Sequence, residues 1–305
     1  MRDERAHAIG RSGTGGPGGL LRKSTLLPIY FILPSVILIA FVNVYPFLSG
    51  LLYSIRDGTL LKPGSIVWFE NYVRLFRMPE FWNSLRFSVI FAFFGVAGSY
   101  LVGLGLALLL NKDMPGRGFY RVALLVPWVL PSVVSIVGWR WMIGHQDSFV
   151  NTVLGWFGIE PVLFLGTPNW AVFSVTLIKI WRSFPFMMIS LLAAIQTINQ
   201  ELYESAQIDG ANRWQSFRYI TMPQLKTISV VCWILMTIWC FNDFDTIWLL
   251  TQGGPANATE NLIVLAYKYT FTKNALGIGS AIAIVSLVLL MALAALLLRL
   301  QRDDD

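Results

Sequence analysis

Residues 198–226 read INQELYESAQIDGANRWQSFRYITMPQLK and lie between two long apolar runs. Helix formers continue through Gln207, Asp209 and Gly210 supply a turn, and Asn212 is placed to cap a second short helix expected to end before Pro223. The spacing therefore predicts a helix-turn-helix at a membrane surface. Its apolar positions, Leu202, Tyr203, Ala206, Ile208, Trp214, Phe217 and Ile220, exceed what a solvated loop of this length needs. A partner protein covering that surface explains them.

Outward from this segment, six stretches are long and apolar enough to cross about 30 Å of hydrocarbon: residues 26–48, 86–110, 122–143, 171–194, 228–250 and 278–298. The whole chain of 305 residues agrees, with 55% apolar and only 13% charged side chains, about half the charged share of a soluble domain. A water-soluble enzyme of this size lacks the polar surface it needs, and 14% aromatic residues argue against disorder. The reading is an all-α integral membrane protein with six transmembrane helices.

Lys and Arg placement orients it, because positive flanks stay on the cytoplasmic side. With both termini inside, thirteen basic residues flank the inner ends and seven the outer ends, so the net charge of +6 is mostly a topology signal. The basic residues form no continuous stripe, which gives no support to nucleic-acid binding. Residues 1–24, with the Gly-rich stretch at 10–19, read as a cytoplasmic tail, 25–300 as the membrane domain and 301–305 as a second tail. The first span reads as a retained helix and not a cleaved signal.

Ser99, Gly103 and Ala107 share one helix face, as do Gly279 and Ala283, and such faces allow close helix approach. Pro127 and Pro131 interrupt the third span and Pro185 the fourth. Cys232 and Cys240 stand about 12 Å apart along a helix and cannot form a disulfide with each other. His7 and His145 have no ligand cluster around them at metal spacing, so no metal site is expected.

Glu204, Ser205 and Ala206, then Gly210, then Ile220, Met222 and Pro223 closely match the EAA loop of ABC importer permeases, which reads Glu-Ala-Ala, Gly, Ile-x-Leu-Pro at this spacing. Ser205 and Met222 depart from that pattern. FENYVRLF at 69–76, PWVLP at 127–131 and FNDFDTIWLLTQGGP at 241–255 resemble the carbohydrate-uptake branch related to the maltose permeases. The resemblance implies a type I ABC importer permease of the inner membrane. It would pair with a second homologous permease, bind an ATPase dimer and accept sugar from an extracytoplasmic binding protein. It further implies that Glu204, Ser205, Ala206, Asp209, Gly210 and Pro223 couple to the ATPase, with Glu204, Ala206 and Gly210 as docking contacts. No Gly-Lys dipeptide occurs in the chain, so no phosphate-cradling loop is present and no cofactor is expected here. ATP and magnesium would belong to the partner.

Five charges fall within the spans: Arg140, Lys179, Arg182, Asp243 and Asp245. Arg140, near an outer end, is placed to snorkel. At 1.5 Å per residue Lys179 lies about 13 Å below the outer end of its span and Asp243 about 10 Å below that of the next, level enough to pair. Pairing and substrate contact stay open alternatives. By the resemblance, Lys179, Ser183 and Phe186 on one side and Trp239, Asn242 and Asp243 on the other line the sugar path, with Trp128 and Trp181 further candidates. An acidic sugar or a phosphorylated polyol competes with a neutral oligosaccharide, because a cationic Lys stands where an amide would serve. Two other classes compete: a secondary transporter using the buried charges for ion coupling, and a membrane enzyme using Asp243 with Asp245. On one helix those two carboxylates would face different ways, which argues against joint catalysis.

Overall fold

The computed structural model describes residues 30–302. Residues 1–24, the Gly-rich stretch, His7, the beginning of the first span and residues 303–305 lie outside them. Of the described residues, 30–50 fall in one unit and 51–302 in a second. Helix α1, Tyr30–Ser54, is 25 residues long and carries a π-turn at Ala40–Val44.

In the second unit a short hairpin, β1 (Arg56–Gly58) against β2 (Pro63–Ile66), precedes helix α2, Glu70–Arg77. The sequence had no alternation long enough to show this hairpin. Buried Asn71 holds it, donating to the Ser54 and Arg56 carbonyls at 2.9 and 2.8 Å. Helix α3, Pro79–Leu110, starts earlier than residue 86 because Pro79 suits a first helical turn.

The third predicted span is two helices. Helices α4 (Arg117–Val129) and α5 (Ser132–Ile143) meet at 88°. Pro131 explains the break: it pushes Leu130 to extended geometry (ψ 136°) and cannot donate to the preceding turn. A short helix α6, Phe149–Trp156, follows. Helix α7, Pro168–Gln196, then runs straight through Pro185, contrary to the expected interruption. Pro185 is buried within the protein, which is the setting in which a membrane helix tolerates a missing donor.

Helices α3 and α7 form the central pair. Ser99, Gly103 and Ala107 are buried there, and a Cβ on Gly103 would stand 2.6 Å from Met187 Cβ and 2.8 Å from the Met188 nitrogen. Only glycine permits that approach.

Helix α8, Gln200–Ile208, carries the first half of the 198–226 segment. The second half does not stop before Pro223. Helix α9 runs continuously over Arg213–Phe241, with a π-turn at Phe217–Thr221 just before Pro223 in the first turn of the following α-helical stretch. That widened turn takes up the proline's missing N–H. Tyr100 and Ser229 hydroxyls, 2.9 Å apart, tie α3 to α9.

The fifth predicted span also breaks. Helix α9 stops at Phe241, and α10, Phe244–Leu250, begins after Asn242 and Asp243. Both side chains favour the break by bonding to nearby backbone: Asn242 Nδ2 donates to the Ile238 carbonyl at 3.0 Å, and Asp243 Oδ1 accepts from the Thr246 N–H at 3.1 Å. Helix α11, Leu262–Tyr267, ends in a π-turn at Lys268–Thr272, and α12 spans Leu276–Arg302. Among the described residues five helices are thus long and apolar enough to cross a membrane, or six if the α4–α5 pair counts as one broken span.

Candidate functional site

Three elements meet near the middle of α7: α7 itself, the last turns of α9, and the break that leads into α10. Lys179 and Arg182 are three residues apart on α7 and therefore share a face. Lys179 Nζ stands 2.8 Å from Asp243 Oδ2, with both side chains less than a tenth exposed. Asp243 also caps α10: Oδ1 accepts from the Thr246 N–H and Oδ2 from the Thr246 hydroxyl at 2.9 Å. Arg182 Nη1 donates to the same hydroxyl at 2.9 Å. Asn261, fully buried, donates to the Asp243 carbonyl at 3.1 Å while its Oδ1 caps α11 by accepting from Val264 N–H at 3.0 Å. At the break after α9, Asp243 thus joins α7 and α10 through its carboxylate and α11 through its carbonyl.

Beside this node lies a cavity of about 240 Å³ lined by Lys179, Arg182, Trp239, Asn242, Asp243, Phe244 and Asp245. Of the residues expected to line a path, Lys179, Trp239, Asn242 and Asp243 reach it. Ser183 is buried in the helix packing, and Phe186 supports the wall: its ring packs edge-on against Trp239 at 4.8 Å and tilts on Trp128 at 6.1 Å. Trp181 packs on Trp139 at 5.4 Å.

Arg182, Phe244 and Asp245 line the cavity although the sequence reading left them off the path. For Arg182 the available signal was its three-residue spacing from Lys179. For Asp245 the assumption of an unbroken helix misled: Asp243 lies outside the helix (ψ 87°), so the two carboxylates face one cavity after all. Asp245 Oδ2 accepts from the Ser132 hydroxyl at 3.0 Å, and Arg140 Nη1 donates to the Leu249 carbonyl at 3.0 Å, so α5 grips α10 at both ends. Arg140 is therefore engaged across helices where snorkelling was expected.

The second site is the α8–α9 elbow. Asn199 caps α8 by accepting from Glu201 N–H at 3.1 Å, and the Glu204 carboxylate accepts from Gln200 Nε2 at 3.0 Å. Helix α8 ends in a Schellman turn: Asp209 is its C-cap, Gly210 adopts φ +82°, Ala211 N–H donates to the Ala206 carbonyl at 2.8 Å and Gly210 N–H to Gln207 at 3.1 Å. Asn212 then opens α9 with a capping box to Gln215. The Ser205 hydroxyl turns back to the Glu201 carbonyl at 2.8 Å, and Pro223 is exposed in α9. The Tyr203 and Thr221 hydroxyls, 2.9 Å apart, tie α8 to α9. Ile208 (87% exposed), Trp214 and Tyr219 stand bare on this elbow. Such an apolar cluster, on a turn this tightly capped, is more than a solvated elbow needs.

Residues 99–303 match the family model described as binding-protein-dependent transport system inner membrane component. The chain belongs to this family. It is 37% identical to the trehalose/maltose transport system permease protein MalF of Thermococcus litoralis, over 92% of this chain and 95% of that one. It is 35% identical to the sulfoquinovosyl glycerol transport system permease protein SmoG of Agrobacterium fabrum, over 92% of both. Among solved structures, a bacterial ABC transporter involved in the import of the acidic polysaccharide alginate superposes with a TM-score of 0.82 at 24% identity, covering 93% of this chain and 98% of that one. The permease thus has the fold of a type I ABC importer subunit, and its family is a transport component of the inner membrane.

Proposed function

We propose that this permease forms, with a second homologous permease, the membrane path for a sugar that an extracytoplasmic binding protein delivers. ATP hydrolysis, with its magnesium, takes place in a partner ATPase dimer that docks on the α8–α9 elbow through Glu204, Ser205, Ala206, Asp209, Gly210 and Pro223. Both termini then face the cytoplasm, and residues 25–300 make up the transport domain.

The observation that carries this reading is the mid-depth cavity. Trp239 offers an aromatic face to the apolar side of a sugar ring, Asn242 an amide oxygen, and the charged groups partners for hydroxyls. Lys179, Ser183, Phe186 and Asp243 complete the path, Ser183 and Phe186 as its support. Carbohydrate is also the class of molecule named for the relatives and for the solved structure of the same fold. The apolar elbow supports coupling to a separate energy source, because Ile208, Trp214 and Tyr219 stay mostly exposed there.

The test is purification of the permease with its neighbouring gene products, reconstitution in vesicles, and measurement of ATP hydrolysis and uptake across a sugar panel with binding protein present. Sugar-stimulated hydrolysis is expected. Uptake that persists in vesicles lacking the ATPase would instead establish a secondary transporter.

A further inference from the structure

The two cations that line the cavity are not equally partnered. Asp243 accepts from Lys179 and twice from Thr246, so Lys179 and Asp243 neutralise one another and the carboxylate is saturated. Arg182 is different. Its one hydrogen bond goes to the neutral hydroxyl of Thr246, its Nε is enclosed without a partner, and among the described residues it makes no ion pair. The remaining acid in the cavity, Asp245, is exposed and bonded to Ser132 on α5. Arg182 lies fourteen residues into a 29-residue helix, about 21 Å from its start, where a cation ordinarily pairs with an opposite charge. The guanidinium has five N–H donors and only one is in use.

From this geometry we infer that the transported sugar is acidic, carrying a single carboxylate or sulfonate that Arg182 receives. This rests on the cavity being the sugar path. A guanidinium binds such a group with two parallel hydrogen bonds, a geometry an ammonium does not reproduce. Trp239 stands within the same cavity, two-fifths exposed and braced by Phe186, so the ring bearing the acid stacks while the acid is held. Asn242 Nδ2 is spent on the Ile238 carbonyl, which leaves Oδ1 to accept from a ring hydroxyl. At about 240 Å³ the cavity falls below the roughly 300–1,000 Å³ of pockets for drug-sized ligands, which fits one sugar residue at a time. With Asp243 neutralised by Lys179, Asp245 is the carboxylate whose charge faces the cavity, and it opposes a phosphate dianion about twice as strongly as a monoanion, which favours a monoanion over a phosphorylated polyol.

The test uses the complete complex in vesicles with its binding protein. Four probes are compared: a neutral disaccharide, the same disaccharide oxidised to the uronic acid, a 6-sulfonated glucoside and a sugar phosphate. The uronic acid or the sulfonate is expected to drive uptake and ATP hydrolysis. R182Q is expected to lower that uptake about 10- to 100-fold, the loss that follows removal of a charged hydrogen-bond partner. R182K is expected to recover part of it with a raised KM. Uptake driven only by the neutral sugar or the phosphate overturns the inference while leaving the sugar permease in place. Acidic-sugar uptake within twofold of wild type in R182Q also overturns it. If R182Q fails to assemble with its partners, R182K decides, since an unchanged KM for the acidic sugar in that variant overturns the bidentate site. Failure of every carbohydrate overturns the sugar-permease reading itself.

Discussion

Lys179 and Asp243 form a buried ion pair, and cutting it from either side should give unequal results. Lys179 has Asp243 as its hydrogen-bonding and ion-pair partner at 2.8 Å, with its side chain 9% exposed. Asp243→Asn therefore strands a cation at mid-depth, and the expected cost is about 5 kcal/mol, the upper end for a buried pair broken from one side. Lys179→Met leaves the carboxylate its two hydrogen bonds from Thr246, so the expected cost falls to about 3 kcal/mol. The double variant removes both members of the ion pair, leaves Arg182 on Thr246 and keeps an acceptor at position 243 to cap α10, so a well-packed neutral pair should cost only about 1–2 kcal/mol, recovering about 6–7 kcal/mol relative to the sum of the singles. Membrane complexes unfold irreversibly, so the measurement is the rate of thermal inactivation of the four purified complexes, followed by uptake in vesicles. The expected order of stability is wild type, double, Lys179→Met, Asp243→Asn. A double variant as unstable as the two singles combined would refute the reasoning, because it would mean the charges do not act on one another. Restored stability without restored uptake would instead assign Asp243 or Lys179 to the substrate.

Gly210→Val forces a β-branched residue to φ +82°, at about 1–2 kcal/mol, with open space around it. The elbow should lose its Schellman turn, and co-purified ATPase should fall several-fold while the permease remains in the membrane. Gly103→Leu drives a side chain into Met187 and the Met188 backbone, and about 1–3 kcal/mol of overpacking should shorten the inactivation half-life of the α3–α7 pair. Asn261→Ala removes both the α11 cap and the bond to the Asp243 carbonyl, at about 2–3 kcal/mol, and faster hydrogen exchange over α10 and α11 is the readout. Unchanged exchange in those helices would detach Asn261 from the node.

Much of this was legible beforehand where a local rule governs. The apolar runs located the helices because hydrocarbon thickness sets their length. Asn212 capped its helix as its chemistry required, and Asp209-Gly210 made the turn because only a residue without Cβ takes that φ at low cost. Prolines were less informative. Pro131 broke a helix, Pro185 did not, and Pro223 was absorbed by a π-turn, since the outcome depends on what neighbouring helices offer the freed carbonyls.

The sequence alone determined that the chain belongs in a bilayer, which stretches are long and apolar enough to cross it, and where a capped elbow protrudes, because composition and short-range hydrogen bonding act within a few residues. Only the tertiary structure decided that the fifth span breaks at Asn242-Asp243, that Lys179 spends its charge on Asp243, and that Arg182 keeps its own beside Trp239. Those facts depend on distances between α7, α9 and α10, and a distance between helices far apart along the chain is fixed by packing, which no local pattern encodes.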